Sequence, residues 1–197
     1  MTDAPPFIRP ATPEERARAI DTVVLGFAAD PLCRWIWPEG QTYLSAMAKL
    51  TDAFGGKAFD EGTAYVTPDF EAAALWLPPG VEPDAETMGA LVAETVAPER
   101  MEEIGTFMAM QDEYHPEGEH WYLPLIAADP AHLGKGLGGA LMKHALSQCD
   151  AQGVAAYLES SNPRNISLYR RHGFEIMGEI QTGSSPVMTP MIREARG

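Results

Sequence analysis

A glycine-rich run at residues 133–139 is the part of the sequence best suited to bind an anion. It reads Leu-Gly-Lys-Gly-Leu-Gly-Gly and follows an apolar segment at 121–128, which predicts a buried strand ending at Asp129. The apolar stripe that comes next predicts a helix closed by Gly153. A strand, a glycine loop and a helix start in this order present free backbone N–H groups and the positive end of the helix dipole to a phosphate.

A dinucleotide site is an alternative interpretation of the same loop. Gly134, Gly136 and Gly139 have the spacing G-x-G-x-x-G, and Glu159 follows at roughly the distance of a ribose-binding acid. Residues 129–132 nevertheless separate the strand from the first glycine, and too few residues follow Glu159 to complete a doubly wound sheet. A P-loop is excluded because the lysine precedes a glycine and not Ser or Thr. A plain strand-to-helix turn is disfavoured by the number of glycines.

A second segment at residues 157–174 follows another predicted strand. The apolar residues 154–158 predict that strand, and Asn162 is a suitable cap for the helix that comes after it. Glu159 then lies where the strand ends, and Tyr169 lies on the helix. The segment therefore predicts a second strand–helix unit that carries a carboxylate and a phenol.

The two segments together resemble the GCN5-related N-acetyltransferase (GNAT) family. Residues 129–138 are similar to the pyrophosphate loop of that family, which usually opens with Gln or Arg where this chain has Leu133. Residues 157–174 are similar to the second signature block, and the spacing between the two blocks fits. A narrower resemblance, to the puromycin N-acetyltransferase-like branch, rests on these blocks together with residues 8–12, residues 27–31 and Trp76.

The resemblance implies an α/β fold: a mixed, mostly antiparallel twisted sheet flanked by helices, with a V-shaped opening between the central parallel strands. It implies one acetyltransferase domain over residues 1–197, with an acceptor-side half to about residue 115 and an acetyl-CoA-binding core from about residue 119. Acetyl-CoA is the implied co-substrate. Its implied contacts are Ile126, Ala127, Ala128, Leu133, Gly134, Lys135, Gly136, Leu137, Gly138, Gly139, Asn165 and Tyr169.

The resemblance also suggests the catalytic groups. Tyr169 occupies the position of the family's usual general acid, and a phenol of pKa about 10 is a reasonable donor to a thiolate of pKa about 8.5. A primary amine of pKa about 10.4 is about a thousandth neutral at pH 7, so a carboxylate must act on it or the pocket must lower its pKa. Glu159 is the first candidate for the general base, ahead of Glu119 and His120. The structural alternatives are that Tyr169 only packs within its helix and that Glu159, Glu119 and His120 are solvated strand ends.

His115, Glu117, Glu119 and His120 bring metal-ligand residue types together in one short stretch. The intervening proline and glycine prevent the helical spacing of a zincin, so the expectation is an exposed loop and no metal.

Composition limits the partners. The formal net charge is −14, which argues against nucleic acid and favours a cationic partner such as an amine. Two cysteines without metal spacing, no apolar run of roughly 20 residues and no basic leader predict a reduced cytoplasmic protein without a membrane span. The oligomeric state stays open, a homodimer included.

Periodicity predicts the other elements. Thr12 and Glu15 form a capping box that starts one helix, and an apolar stripe over residues 43–54 predicts another. Trp35 and Trp37 favour core packing over a role as an acceptor wall. The remaining predictions are a strand at 7–9, a hairpin of strands at 64–67 and 72–77 with the second one central, helical segments over 81–114, and strands at 174–180 and 186–192.

The sequence therefore predicts an N-acetyltransferase that passes an acetyl group directly to a primary amine of a small molecule within a ternary complex. Direct transfer is expected because neither block contains a cysteine or serine in a nucleophile arrangement, and Cys149 lies on an apolar helical stripe. The alternatives are a dinucleotide-dependent oxidoreductase and a non-catalytic acyl-CoA-binding sensor. The acceptor stays open among aromatic or apolar amines, metabolites and peptide N-termini.

Overall fold

The computed structural model describes residues 6–196. They form one seven-stranded sheet and the helices that flank it. The strands are β1 (Arg9–Pro10), β2 (Ala64–Val66), β3 (Ala72–Leu77), β4 (His120–Ala128), β5 (Ala155–Ser160), β6 (Glu175–Ile176) and β7 (Thr189–Arg193). Their order across the sheet is β1-β2-β3-β4-β5-β7-β6, and β4–β5 is the one parallel pair among them. The predicted mixed, mostly antiparallel α/β fold is confirmed.

The helices flank this sheet. They are α1 (Arg16–Gly26), α2 (Pro31–Ile36), α3 (Gly40–Gly55), α4 (Lys57–Asp60), α5 (Ala85–Thr95), α6 (Met101–Tyr114), α7 (Leu137–Gln152) and α8 (Ile166–Arg171). The predicted capping box is present ahead of α1, where the Thr12 backbone N–H donates to Glu15 at 2.9 Å. Gly153 ends α7 in the left-handed conformation, as predicted. Within residues 6–196, every helix is too short or too polar to pass through a lipid bilayer.

β3 lies in the centre of the core, as its continuous apolar sequence predicts. Its side chains alternate between two layers: Leu75 and Leu77 pack in the cluster under α1 and α3, whereas Ala74 and Trp76 pack in the cluster under α7. All of β3 is buried. Helices therefore cover both faces in the middle of the sheet.

β4 and β5 are paired over only part of their length. The parallel register runs from His120 opposite Ala155 to Leu123 opposite Leu158. Pro124 comes next and has no backbone N–H with which to continue the ladder. Beyond it, β4 stays paired with β3 and β5 stays paired with β7, so the two strands separate. The separation is the V-shaped opening that the family resemblance implies.

The N-terminal segments differ in detail from the predictions. The first strand forms at Arg9–Pro10 and not at 7–9. The apolar stretch at 32–37 is largely helical, because the Asp30 carboxylate accepts backbone N–H groups at the start of α2 at 3.0 and 3.1 Å. Trp37 is 1% exposed, which confirms a core role, and Trp35 packs on Phe107 with 5.6 Å between ring centroids.

The C-terminal strands also differ. The predicted strand at 154–158 continues to Ser160, because β7 pairs with it as far as Thr189. The predicted strand at 174–180 is ordered as β6 for two residues and then makes one isolated bridge, from Ile180 to Met188. Gly178 lies between β6 and this bridge. A Cβ at Gly178 would lie 2.5 Å from the Tyr114 hydroxyl, so Tyr114 of α6 packs tightly against the chain where the strand pairing is interrupted.

Candidate active site

The opening between β4 and β5 forms a narrow cleft. Four of the predicted site residues line it: Ile126 on β4, Glu159 on β5, and Asn165 and Tyr169 around the start of α8. Leu123, Pro124, Leu158, Ser161 and Phe27 complete the lining. The cleft therefore brings the candidate base and the candidate acid together, although they come from different elements.

Glu159 is held by two tyrosine hydroxyls. Tyr122 donates to one carboxylate oxygen at 2.6 Å and Tyr157 donates to the other at 3.0 Å. Burial raises the Glu159 pKa from 4.5 to about 7, while the two hydrogen bonds oppose that rise and the nearby Asp112 adds to it. The carboxylate is therefore close to half ionised at neutral pH, which suits a general base.

The tyrosine pair follows from the strand register. Tyr122 and Tyr157 face each other across the parallel β4–β5 pair and stack with 5.7 Å between ring centroids. Glu159 lies two residues beyond Tyr157, so it points to the same face of the sheet and comes within reach of both hydroxyls. Neither tyrosine was predicted as a site residue. The available signal was the i, i+2 spacing of Tyr157 and Glu159.

Tyr169 lies on the buried side of α8. Its side chain is 5% exposed and packs edge-on against Phe174 at 6.2 Å. Burial raises its pKa above the usual value of 10, and the charge of Asp30 adds to the rise. The Asp30 carboxylate also accepts a hydrogen bond of 2.6 Å from Ser161, a cleft residue that sequence reasoning missed. Tyr169 therefore stays protonated throughout the physiological pH range.

The glycine loop at 133–139 forms an open turn ahead of α7. Gly134 and Gly136 have φ of 78° and 76°, a region that favours glycine, and a Cβ added at either position would meet no atom within 4 Å. Among residues 6–196, no side chain caps the first turn of α7, so its backbone N–H groups stay available. This geometry fits the pyrophosphate of acetyl-CoA, because an anion can approach the backbone and meet the helix dipole.

The other predicted cofactor contacts surround this loop. Leu133 is 68% exposed, and Lys135 lies beside His132 with 3.2 Å between nitrogens. Leu137 is instead buried under α7, so its side chain serves the core while its backbone stays in the loop. Gly138 and Gly139 face α8, where an added Cβ would lie 3.3 and 3.7 Å from the nearest side chains. Ala127 packs against α1, and Ala128 pairs with β3.

A larger cavity of about 400 Å³ lies on the other side of Glu159. Glu159 and Tyr122 form one wall of it. The other lining residues are Phe54, Glu82, Pro83, Ala85, Met88, Met108, Gln111, Asp112 and His115. Because Glu159 lines both this cavity and the cleft, a molecule in the cavity and a molecule in the cleft would both contact this residue.

The alternative bases lie elsewhere. Glu119 is exposed and lines neither the cleft nor the cavity. His120 contacts the His115 ring with 3.0 Å between nitrogens and places its other nitrogen 2.9 Å from the Gly118 carbonyl. Within the described chain, His, Cys, Asp and Glu side chains nowhere form a group of three or more that could hold a metal ion. Cys149 is fully buried in the core under α7.

Comparisons with known proteins agree with this geometry. The family model described as the acetyltransferase (GNAT) family matches residues 31–174. An uncharacterized N-acetyltransferase of Schizosaccharomyces pombe is 24% identical over 194 residues, which cover 90% of this chain and 78% of that protein. A crystal structure described as histone acetyltransferase HPA2 and related acetyltransferase, from Corynebacterium glutamicum, is 25% identical and covers 98% of both chains with a TM-score of 0.69.

A more distant structure shares the fold. Arylalkylamine N-acetyltransferase 2 of Aedes aegypti is 12% identical, has a TM-score of 0.65 and covers 96% of this chain and 99% of its own. The chain described here belongs to the GNAT acetyltransferase family and is an N-acetyltransferase. The family generally uses acetyl-CoA as its acyl donor.

Proposed function

We propose that this protein transfers an acetyl group from acetyl-CoA directly to the primary amine of a small molecule. The observation that carries the proposal is the position of Glu159, a residue that lines both the β4–β5 cleft and the 400 Å³ cavity. The thioester would enter through the cleft and the amine through the cavity. Both substrates would then be bound together, and no covalent enzyme intermediate is needed.

Glu159 is proposed as the general base. The amine nitrogen forms a bond to the acetyl carbonyl carbon, the carbon–sulfur bond breaks, and the proton lost by the amine passes to the Glu159 carboxylate, directly or through one water. A pKa of about 7 allows Glu159 to be ionised before the reaction and still to hold a proton after it. The hydroxyls of Tyr122 and Tyr157 fix the orientation of the carboxylate throughout.

Tyr169 is proposed as the proton donor to the departing sulfur. It lines the same cleft as Glu159, and burial keeps its phenol protonated. Because the raised pKa makes Tyr169 a weaker acid than the free phenol, its contribution begins as a hydrogen bond to the developing thiolate. The proton moves to sulfur as the carbon–sulfur bond breaks.

The cofactor-binding assignments are also part of the proposal. The backbone of residues 133–139 and the first turn of α7 would hold the pyrophosphate. The β4 edge at residues 126–128, which β5 leaves unpaired, would hydrogen-bond the pantetheine arm and polarise the thioester carbonyl. Asn165, which lies in the cleft beside Tyr169, would contact the same arm.

A small acceptor is favoured over a protein by the size of the cavity. About 400 Å³ matches a small molecule, and residues of α3, α5 and α6 line it. The Aedes aegypti protein of the same fold is named for arylalkylamines, which are small primary amines. The acidic lining suits the positive charge of such an acceptor.

The test is a titration followed by an assay. Acetyl-CoA and NAD are titrated separately in a calorimeter, and thiol release is then measured with acetyl-CoA and a panel of primary amines. Micromolar binding of acetyl-CoA alone, with amine-dependent thiol release, is expected. Binding of NAD alone would favour the dinucleotide-dependent oxidoreductase, and binding of acetyl-CoA without transfer to any amine would favour the non-catalytic sensor.

A further inference from the structure

The acceptor cavity carries more negative charge than one amine can neutralise. Glu82 precedes α5, Asp112 lies on α6, and both carboxylates line the cavity together with Glu159. The lining contains no lysine and no arginine. Neither Glu82 nor Asp112 makes a side-chain hydrogen bond or an ion pair with any residue in the described range 6–196. Within residues 6–196, therefore, no lysine or arginine forms an ion pair with these two groups.

The three carboxylates occupy two different environments. Glu82 and Asp112 are exposed, whereas Glu159 is half-buried at the boundary with the cleft. The charges of Glu82 and Asp112 act on the hydrogen-bonded pair of Tyr122 and Glu159, because Asp112 raises the pKa of Glu159 and Glu82 raises the pKa of Tyr122. The cavity wall is thus acidic at Glu82 and Asp112 as well as at Glu159, where acetyl transfer is proposed.

Another part of the cavity wall is apolar. Phe54 from α3, Met88 from α5 and Met108 from α6 line it, together with Pro83 and Ala85. Methionine and phenylalanine side chains offer an alkyl chain contact area but no hydrogen-bond partner. A ligand with two cationic heads joined by methylene groups matches this combination of acidic and apolar lining.

We infer that the acceptor is an aliphatic diamine, with Glu82 and Asp112 binding the distal ammonium while Glu159 takes the proton of the reacting amine. The inference rests on the proposed function, since Glu159 is the base only if acetyl transfer occurs there. The methylene spacer lies along Phe54 and the two methionines. A monoamine of the same length makes the same apolar contacts but leaves the two outer carboxylates without a partner.

Matched substrates test the inference directly. The acetylation rates of 1,4-diaminobutane and 1,6-diaminohexane are compared with those of n-butylamine, n-hexylamine and 2-phenylethylamine at saturating acetyl-CoA. The expected result is a kcat/KM for each diamine about tenfold or more above that of the monoamine of equal length, because a second charge contact is formed. The advantage should shrink as the salt concentration rises.

Variants then assign the advantage to the two carboxylates. Glu82→Gln and Asp112→Asn should each raise KM for the diamines about three- to tenfold with a small change in kcat, so that the ratio of diamine to monoamine kcat/KM falls. Glu113→Gln is the matched control, because Glu113 is an exposed neighbour of Asp112 on α6 and does not line the cavity. It should leave the ratio unchanged.

The outcomes separate this inference from the proposed function. Equal kcat/KM for matched diamines and monoamines, or better turnover of 2-phenylethylamine, would overturn the diamine inference and leave acetyl transfer intact. If no amine is acetylated, the proposed function fails. Calorimetric titration with 1,6-diaminohexane then tests separately whether the cavity binds a diamine. Binding that Glu82→Gln and Asp112→Asn both weaken would support it, and absence of binding would overturn it.

Discussion

The Tyr122 hydroxyl donates a hydrogen bond of 2.6 Å to the Glu159 carboxylate across the parallel β4–β5 pair. The bond favours the ionised carboxylate, whereas burial of Glu159 favours the protonated one. The balance leaves the Glu159 pKa at about 7. Tyr122, a residue of the cavity wall, thus tunes the pH range in which the proposed base can work.

Removing this hydroxyl should shift the pH dependence of the reaction. Tyr122→Phe deletes a donor to the carboxylate, so the Glu159 pKa should rise by about half a unit to one unit. The acid limb of the kcat/KM profile should move to higher pH, with a larger loss of rate at pH 6 than at pH 9. Tyr65→Phe, at a buried tyrosine on β2, is the control. An unshifted acid limb would show that Glu159 is not the titrating base.

Ionisation of the Glu159 carboxyl should also lower the stability of the fold at high pH. Its folded pKa of about 7 lies above the unfolded value of 4.5, so its stabilising contribution is complete below pH 4.5 and is lost as pH rises through 7. Glu159→Gln removes this loss. In thermal unfolding, the variant should gain more over the wild type at pH 8.5 than at pH 5. The same difference in Tm at both values would contradict the raised pKa.

Tyr169→Phe should separate catalysis from binding. The substitution keeps the ring that packs on Phe174 and removes the proposed proton donor. We expect kcat to fall about ten- to a thousandfold while the affinity for acetyl-CoA, measured by calorimetry, changes little. Unchanged turnover would remove Tyr169 from the mechanism and leave it with a packing role.

Gly136→Asp should abolish acetyl-CoA binding. The side chain would project from the turn ahead of α7 and bring negative charge against the pyrophosphate. Gly62→Asp is a matched control, since Gly62 also has a positive φ, of 69°, and open space around it but lies in the turn before β2. Wild-type affinity in Gly136→Asp would show that this loop does not hold the cofactor.

Local sequence patterns were sufficient for most of the fold. The capping box at Thr12, the continuous apolar run of β3 and the glycine turn before α7 are each determined by neighbouring residues, and each is found where it was predicted. The end of β5 was placed two residues too early because its extension depends on pairing with β7, which lies about 30 residues downstream.

The site was less accessible to sequence reasoning. Tyr122 and Tyr157 meet only because β4 and β5 pair in a particular parallel register, which no local pattern specifies. Glu82 and Asp112 line one cavity because the segment before α5 packs near α6, and this tertiary contact is not encoded in a local pattern. Cytoplasmic location, homodimer formation and the puromycin N-acetyltransferase-like branch stay predictions.

The most direct measurement is detection of the acetylated amine by mass spectrometry after the protein is incubated with acetyl-CoA and 1,6-diaminohexane, for the wild type and Glu159→Gln. We predict N-acetylated product from the wild type and a kcat about a hundred- to ten-thousandfold lower for Glu159→Gln at pH 8, with acetyl-CoA affinity retained. Equal product formation by both proteins would contradict the role of Glu159 as the base between cleft and cavity.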